Sequence, residues 1–516
     1  MDEKFYITTS IAYANAQPHM GHAYEAVLTD IIARYKSMRG VSTFFLTGMD
    51  EHGDKIVRAS QKADMGPQAF VDANGEKFKE LFKKFNISYD YFVRTSDKTH
   101  HWTGAQTLWG KLSDSGDIYK GVYKGLYCVG CEAFVTEKEL VDGKCPHHDA
   151  APEKVEEENY FFRLSKYTEQ LKEKITSGEL SIIPISRKNE ILSFLEGGLE
   201  DISFSRPEGV IPWGVPVPGQ RGHMMYVWCD ALSNYITGLG FGRKDDENFK
   251  KFWPADTHVI GKDIVRFHAI IWPAMLLSAG LPLPKNILVH GFITSGGKKM
   301  SKSLGNVIDP MGLEDKYGVE SLRYFFAREI TPFEDGDFTE EHFMETYNAN
   351  LANGLGNLVS RTIKMAGQYF DGKVSQAIDI DVPLKREFVA VGDSAKIEGY
   401  SIPYLIRTKF LPEYYEHMDS FEINKAADVV WQLIGTLDGY IASHEPFKLI
   451  KTEKQKTENI IWSLLFGLHY ISHMITPVMP DTAKKIEDVL GAVFDDNALP
   501  VSFNTKPLDA ALFLRK

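Results

Sequence analysis

Three short stretches hold residue types that could do chemistry, and two of them suit phosphate. Pro18-His19-Met20-Gly21-His22 sets two imidazoles around a glycine. If the stretch opens a helix, the unpaired N–H groups there and their partial positive charge favour an anion. The glycine admits a close ligand, and the imidazoles can donate to phosphate oxygens without a fixed strong charge. Gly297-Lys298-Lys299-Met300-Ser301-Lys302-Ser303 places lysines among small and hydroxyl residues, a cationic flap able to neutralise phosphate. It lacks the glycine spacing of a Walker A loop. Each stretch has a plain alternative, a capped helix or a solvated lysine turn, and their joint occurrence favours chemistry. The third stretch is Cys128-x-x-Cys131 followed by Cys145-x-x-His148, a spacing suited to tetrahedral zinc. His148 is the fourth ligand on spacing, with His147 beside it as the alternative. Four protein ligands would leave no open position, so the ion would be structural.

The elements that must position these loops are legible in outline. Residues 5–11 form a β-rich run, residues 21–35 carry an apolar helical face (Ala23, Val27, Leu28, Ile31, Ile32, Tyr35), and residues 43–47 form the next strand. Gly40 is the expected helix stop. A strand–helix–strand unit at this spacing implies a parallel sheet with a right-handed crossover. The histidine loop would then lie at the sheet's C-terminal edge, where this fold class binds ligands. Residues 257–261 and 287–291 read as further parallel strands around an apolar helix at 266–279, and the lysine loop follows the second of them. Residues 119–160, rich in Gly, Cys and charge, read as an insertion held by something other than a large apolar core. From about residue 340 the pattern is helical. The uncharged stretch 460–480 reaches membrane-spanning length, but its Gly, Ser, His and Pro content and amphipathic surroundings mark it as a buried bundle helix.

Composition bounds the rest. The chain has 516 residues, enough for about three or four domains at roughly 100–200 residues each. Its 58 Lys+Arg against 70 Asp+Glu give a net charge of −12, with a pI near 5.8. That argues against a protein that coats nucleic acid nonspecifically, though not against a local basic surface. Four cysteines, three of them clustered, suit a reducing compartment and a metal site better than a disulfide scaffold. The start, Met1-Asp2-Glu3-Lys4, has no signal-peptide core, so a cytoplasmic location and no membrane partner are expected.

The paired signatures His-Met-Gly-His and Lys-Met-Ser-Lys-Ser resemble those of class I aminoacyl-tRNA synthetases. Ile11-Ala-Tyr-Ala-Asn15, Leu46-Thr-Gly-Met-Asp-Glu-His-Gly53, Tyr226-Val-Trp-Cys-Asp-Ala231 and Ile260-Gly-Lys-Asp-Ile-Val-Arg-Phe-His268 extend the resemblance, across nearly the whole chain, to the methionyl-tRNA synthetase family. The resemblance implies ATP-dependent activation of L-methionine to an adenylate with release of pyrophosphate, then transfer to the terminal ribose of methionine tRNA, initiator and elongator alike. It implies His19, Gly21, His22, Lys299, Ser301 and Lys302 for ATP, with His19, His22, Lys299 and Lys302 in the catalytic part. The methionine pocket falls on Ile11, Tyr13, Trp228, Ala231, Leu232, Tyr235, Ile264, His268 and Trp272, with Asp50 meeting the ammonium. Aromatic walls suit a thioether. The family often has proline at Leu232 and at Ala12, which would vary the pocket wall. Mg²⁺ would accompany ATP, and one structural zinc ion would sit on Cys128, Cys131, Cys145 and His148.

The fold class expected is α/β. A Rossmann-like catalytic domain spans 1–115 and 226–325, and a connective insertion with the zinc knuckle (about 120–160) spans 116–225. A connecting segment and an all-α anticodon-binding bundle span 326–516. Asn357 and Arg361, at i and i+4, share a helical face and would read anticodon bases, with Phe447 where the family usually stacks a tryptophan. No appended tRNA-binding barrel follows, so a monomer is expected. Two other readings compete. An inactive tRNA-binding paralogue would show damaged signature loops, whereas His19, Gly21, His22, Lys299 and Lys302 all stand. A small nucleotidylyltransferase would need neither a knuckle nor a distant lysine flap.

Overall fold

The computed structural model describes residues 3–129, 133–135, 137, 140–146, 150–300, 308–375, 401–494 and 500–516, with the backbone alone for 133, 134 and 299. The chain divides into two compact units, Met1–Phe292 and Ile293–Lys516.

The first unit is built on a parallel sheet whose strands are β1 (Lys4–Thr8), β2 (Ala12–Tyr13), β3 (Ser42–Asp50), β4 (Tyr91–Arg94), β5 (Ser181–Ile183), β6 (Thr257–Gly261) and β7 (Asn286–His290). Phe5, Tyr6, Ile7, Val259, Ile260, Ile287, Leu288 and Val289 are all buried. Such continuous apolar runs are what a sheet covered on both faces requires. β1 lies at the centre, paired with β3 on one edge (Thr8 opposite Leu46) and with β6 on the other (Thr8 opposite His258). The chain builds outward on the β3 side first and then on the β6 side, so the switch point lies between β1 and β6. Their C-terminal ends open the crevice where this topology places ligands. The first strand is shorter than the expected 5–11: it stops at Thr8 and the chain rejoins β3 at Ala12–Tyr13.

Helix α1 (Met20–Met38) crosses from β1 to β3 and buries Ala23, Val27, Leu28, Ile31, Ile32 and Tyr35. Gly40, at φ +79°, takes the left-handed turn after its end. The helix expected at 266–279 opens with a π-turn, Phe267–Ile271, before α-helix Trp272–Ser278. Pro273 supplies no N–H to the preceding turn, which therefore widens.

The segment expected as an insertion proves to be two things. Ile118–Cys128 and Glu153–Phe162 pair antiparallel along their whole length, and Tyr119 stacks on Phe161 at 5.6 Å. Its acidic run is a strand with alternating duties. Lys124 meets Glu156 at 3.0 Å and Lys120 meets Glu158 at 2.6 Å, while Glu157 on the other face pairs with buried Arg206. Ser181–Ile183, also within 116–225, joins the main sheet as its edge strand against β7. Three residues carry too little periodicity to be read as a strand.

In the second unit Ile293–Ser295 turns through Gly296 (φ +61°) and Gly297 (φ +72°) onto Lys298–Lys299, the doubly left-handed turn that matches hairpin twist. Helices follow, among them Val319–Arg328, Asn357–Phe370, Ile423–His444 and Lys454–Ile475. The last is buried continuously from Ile460 to Ile475. A Cβ on Gly467 would meet Leu437 at 2.5 Å, so this glycine allows the two long helices to touch. Among the described residues no helix is long and apolar enough to cross a membrane.

Candidate active site

The histidine loop folds into a reciprocal cap. His19 is the N-cap of α1, with extended φ −134° and ψ 177°. Its Nδ1 accepts from the Gly21 N–H at 3.1 Å, and the Nδ1 of His22 accepts from the His19 N–H at 3.2 Å. An accepting Nδ1 carries no proton, so in each neutral ring the proton sits on Nε2. The rings stack with centroids 3.8 Å apart, and His22 meets the edge of Phe78. Burial, and then the neighbouring His19, push His22 well below the ordinary histidine range. The site therefore offers neutral imidazole donors at a helix N-terminus.

Glu25, one turn further along α1, ties this helix to both sides of the switch point. One carboxylate oxygen accepts from Ser10 Oγ after β1 at 2.6 Å, and the other faces His290 Nε2 at the end of β7 at 2.9 Å. His290 Nδ1 faces the Gly291 carbonyl at 2.7 Å. Burial alone would lower this histidine; the two acceptors outweigh it and raise its pKa.

Of the residues expected around methionine, Tyr235, His268 and Trp272 come together. Tyr235 donates its hydroxyl to His268 Nε2 at 2.7 Å, and His268 Nδ1 donates to the Ile264 carbonyl at 3.0 Å. Burial pulls His268 down to about 4, so it is neutral with its proton on Nδ1. Trp272 is fully buried, its indole N–H directed to His258 Nε2 at 3.3 Å. It stands behind Tyr235 as a core residue, and Leu232 is likewise sealed at 1% exposure. Ile11, Tyr13, Trp228 and Ile264 are the partly exposed members, packed against the core. Asp50 is buried at the end of β3, where its carbonyl accepts from Ala14 N at 2.9 Å. Ala231 is buried on helix Val227–Leu232.

Several neighbours escape sequence reasoning. Phe267 stacks face to face on Trp228 at 3.7 Å. His258 in β6 donates from Nδ1 to Thr8 Oγ1 at 2.8 Å and packs on Tyr235. Trp213 donates to the Glu51 carbonyl at 2.6 Å. Asp230 lies fully buried between His52 and His101, and their attraction and hydrogen bonds overcome its desolvation and hold it at about 2. The only hint of these contacts in the sequence was that His52, Asp230 and Phe267 fall inside the quoted motifs.

In the second unit the lysine hairpin is pinned at its base by Asp337, whose Oδ1 accepts from Thr294 Oγ1 and from Gly297 N, both at 2.8 Å. Lys299 is described as backbone paired with Thr294; Ser301 and Lys302 lie outside the described residues. Asn357, Ser360, Arg361 and Lys364 lie on one exposed face of helix Asn357–Phe370, with Arg361 3.4 Å from Asp438. Phe447 is 45% exposed. In the first unit, Cys128 ends the long strand and Cys145 follows a tight turn; both are 2% exposed. Cys131, His147 and His148 lie outside the described residues, and among the described ones no metal-binding cluster forms.

Comparison with known proteins decides the family. The model for class I tRNA synthetases (M) matches residues 5–151 and 148–363, and that for the anticodon binding domain of methionyl tRNA ligase matches 404–509. The methionine–tRNA ligase of Caldanaerobacter subterraneus subsp. tengcongensis is 44% identical over 500 residues, spanning 96% of this chain and 75% of that one. The Rickettsia conorii ligase is 43% identical over 493 residues, spanning 95% and 93%. The chain belongs to the methionyl-tRNA synthetase family. The structure of Mycobacterium tuberculosis methionyl-tRNA synthetase with methionyl-adenylate superposes with a TM-score of 0.90 at 38% identity, covering 99% of this chain and 100% of that one. As a methionyl-tRNA synthetase the chain uses ATP to activate L-methionine and transfers the methionyl group to its tRNA. The α/β unit and the helical C-terminal region are those of the family.

Proposed function

We propose that His19 and His22 attend the α-phosphate and adenine end of ATP, with Gly21 admitting the nucleotide, and that Lys299, Ser301 and Lys302 hold the β/γ-phosphates as pyrophosphate departs. The methionine carboxylate is ionised at neutral pH and needs no base to attack the α-phosphate. The enzyme's task is alignment and stabilisation of charge on the phosphates. The observation that supports the reading is the reciprocal cap: main-chain N–H groups bond both Nδ1 atoms, so each neutral ring at this helix N-terminus carries its proton, and its donor capacity, on Nε2. Methionine would lie against Ile11, Tyr13, Trp228, Ala231 and Ile264, with Tyr235, His268, Leu232 and Trp272 forming the wall and its backing, and Asp50 taking the ammonium. Mg²⁺ enters with the ATP phosphates.

One structural zinc ion would sit on Cys128, Cys131, Cys145 and His148 (or His147). Two buried thiols at a strand end and beside a tight turn fit such a site, and the ion would fix the tip of the long hairpin. Asn357 and Arg361 would read anticodon bases of initiator and elongator methionine tRNA, with Phe447 stacking on one of them. The enzyme would act as a cytoplasmic monomer.

Methionine-dependent exchange of pyrophosphate into ATP tests the phosphate roles. His22→Ala and Lys302→Ala should each lower kcat by about 10²–10³, the usual loss for one transition-state donor. Rates within about threefold of wild type would remove those residues from the machinery.

A further inference from the structure

A buried hydrogen-bonded line runs under the amino-acid pocket and has no part in the chemistry above. Asp230 is 1% exposed and has an imidazole on each oxygen: His52 Nδ1 to Oδ2 at 2.6 Å, and His101 Nε2 to Oδ1 at 2.7 Å. His101 Nδ1 continues to Thr237 Oγ1 at 2.8 Å. A carboxylate only accepts, so the two nitrogens facing it are donors and both tautomers are fixed. The line thereby joins three elements: the segment after β3, the turn carrying His101, and helix Val227–Leu232.

Two of these elements deliver pocket groups from residues beside the line. His52 follows Asp50 by two positions, and Asp230 lies between Trp228 and Ala231. Tyr13, another pocket residue, donates its hydroxyl to the His52 carbonyl at 2.9 Å. The His52 ring stands edge-on to Trp213 at 5.4 Å and to Trp102 at 6.0 Å. Its Nε2 is buried with no hydrogen-bond partner among the described residues, a cost that native interiors seldom carry without a use. A buried carboxylate with two imidazoles is also an expensive way to hold a fold, since an apolar trio could replace it. What it gives is a set of fixed directions and distances.

We propose that His52, Asp230 and His101 form a positioning relay that sets the Trp228–Ala231 wall against Asp50 and Tyr13, and so sets the affinity for methionine separately from that for ATP. The inference rests on the pocket reading above. None of the three residues is needed at the reacting atoms; the relay acts through the pocket groups beside it.

The test measures KM for methionine and for ATP in pyrophosphate exchange on the full chain. His101→Ala should raise the methionine KM about tenfold or more, the scale of a lost hydrogen bond to a buried charge. The ATP KM should stay within about twofold. His101→Gln, which keeps an N–H near the place of Nε2, should restore the methionine KM to within about threefold of wild type. Methionine-induced tryptophan fluorescence should shift to higher concentration in His101→Ala and return in His101→Gln, because Trp102 and Trp213 flank His52. If His101→Ala does not fold, Thr237→Val removes only the hydroxyl that donates to Nδ1 at the far end and should produce the same split at smaller size. Equal movement of both KM values, or no rescue by glutamine, would overturn the relay. Trp228→Ala separates the two readings: an unchanged methionine KM there defeats the pocket itself. A raised KM there with a normal His101→Ala defeats only the relay.

Discussion

Gly21→Ala isolates the cap on which the phosphate reading rests. The backbone at Gly21 is ordinary helix, so alanine is not strained there. A Cβ would nevertheless meet His19 Cε1 at 3.0 Å and Nδ1 at 3.2 Å. Comfortable carbon contacts lie at about 3.5–4.0 Å, so the ring must withdraw by roughly half an ångström. Withdrawal breaks the 3.1 Å bond from the Gly21 N–H, worth about 0.5–2 kcal/mol as an N-cap. Alanine in place of glycine returns up to about 1 kcal/mol of helix propensity. Net stability should therefore change by no more than about 2 kcal/mol. The displaced Nε2 donor should cost far more in rate, about 10²-fold in kcat for pyrophosphate exchange, or close to 3 kcal/mol. Urea melts and exchange kinetics on the same protein separate the two effects. The decisive control is the double-mutant cycle: in a His19→Ala background the ring is absent and Gly21→Ala should cost far less than it does alone, only what its Cβ takes from the approach of the nucleotide. Additive losses in kcat, or a single variant within about threefold of wild type, would refute the argument that Gly21 serves by making room for the His19 ring.

Three further outcomes follow from the same geometry. His22 has a folded pKa below its unfolded value of about 6.5, so the unfolded state binds the extra proton first. Its stabilising contribution is complete above pH 6.5 and is lost as pH falls toward the folded pKa; urea melts should show this acid loss, and His22→Ala should reduce it. His290 has the opposite sign, raised chiefly by Glu25 against its burial, so its contribution is complete below about pH 6.5 and is lost as pH rises through the folded value. Glu25→Gln should lower the His290 pKa as followed by ring-proton NMR, and no movement would break the assigned pair. Cys128→Ser should reduce bound zinc from near-stoichiometric to background on metal analysis and lower the melting temperature; full zinc occupancy in the variant would sink the Cys₃His assignment.

The periodic parts of the molecule were the legible parts. The strand expected at 257–261 forms there and that at 287–291 forms one residue earlier. The apolar face named for α1 is the one buried. Ser181–Ile183 was invisible as a sheet strand because three residues pair only with β7, a segment more than a hundred positions away. Around the pocket, helical spacing could place Tyr235, His268 and Trp272 on inward faces, but it could not order them by depth. Trp272 is a buried backing residue and Trp228 a partly exposed one. The stacking of Phe267 on Trp228 and the bond from His52 to Asp230 join separate elements. Local pattern carries no information about such contacts, and only the assembled fold creates them.

The histidines show how the scaffold sets the chemistry. His19 and His22 accept main-chain N–H bonds at Nδ1, while His268 and His258 are fixed in the opposite tautomer by the Ile264 carbonyl and the Trp272 indole. Burial holds His22, His258 and His268 neutral well below pH 7. A cationic imidazole at the head of α1 would lose its main-chain cap and add to the helix's own positive end. A neutral one keeps the cap and still offers a donor. The exception is His290, with acceptors on both nitrogens, and there the charge is matched by Glu25 within the same unit. On the proposed reading, strong positive charge for the phosphates would be left to the lysine hairpin, whose base Asp337 pins. The histidines would then stay in register with the helix while the lysines met the charge that develops on departing pyrophosphate.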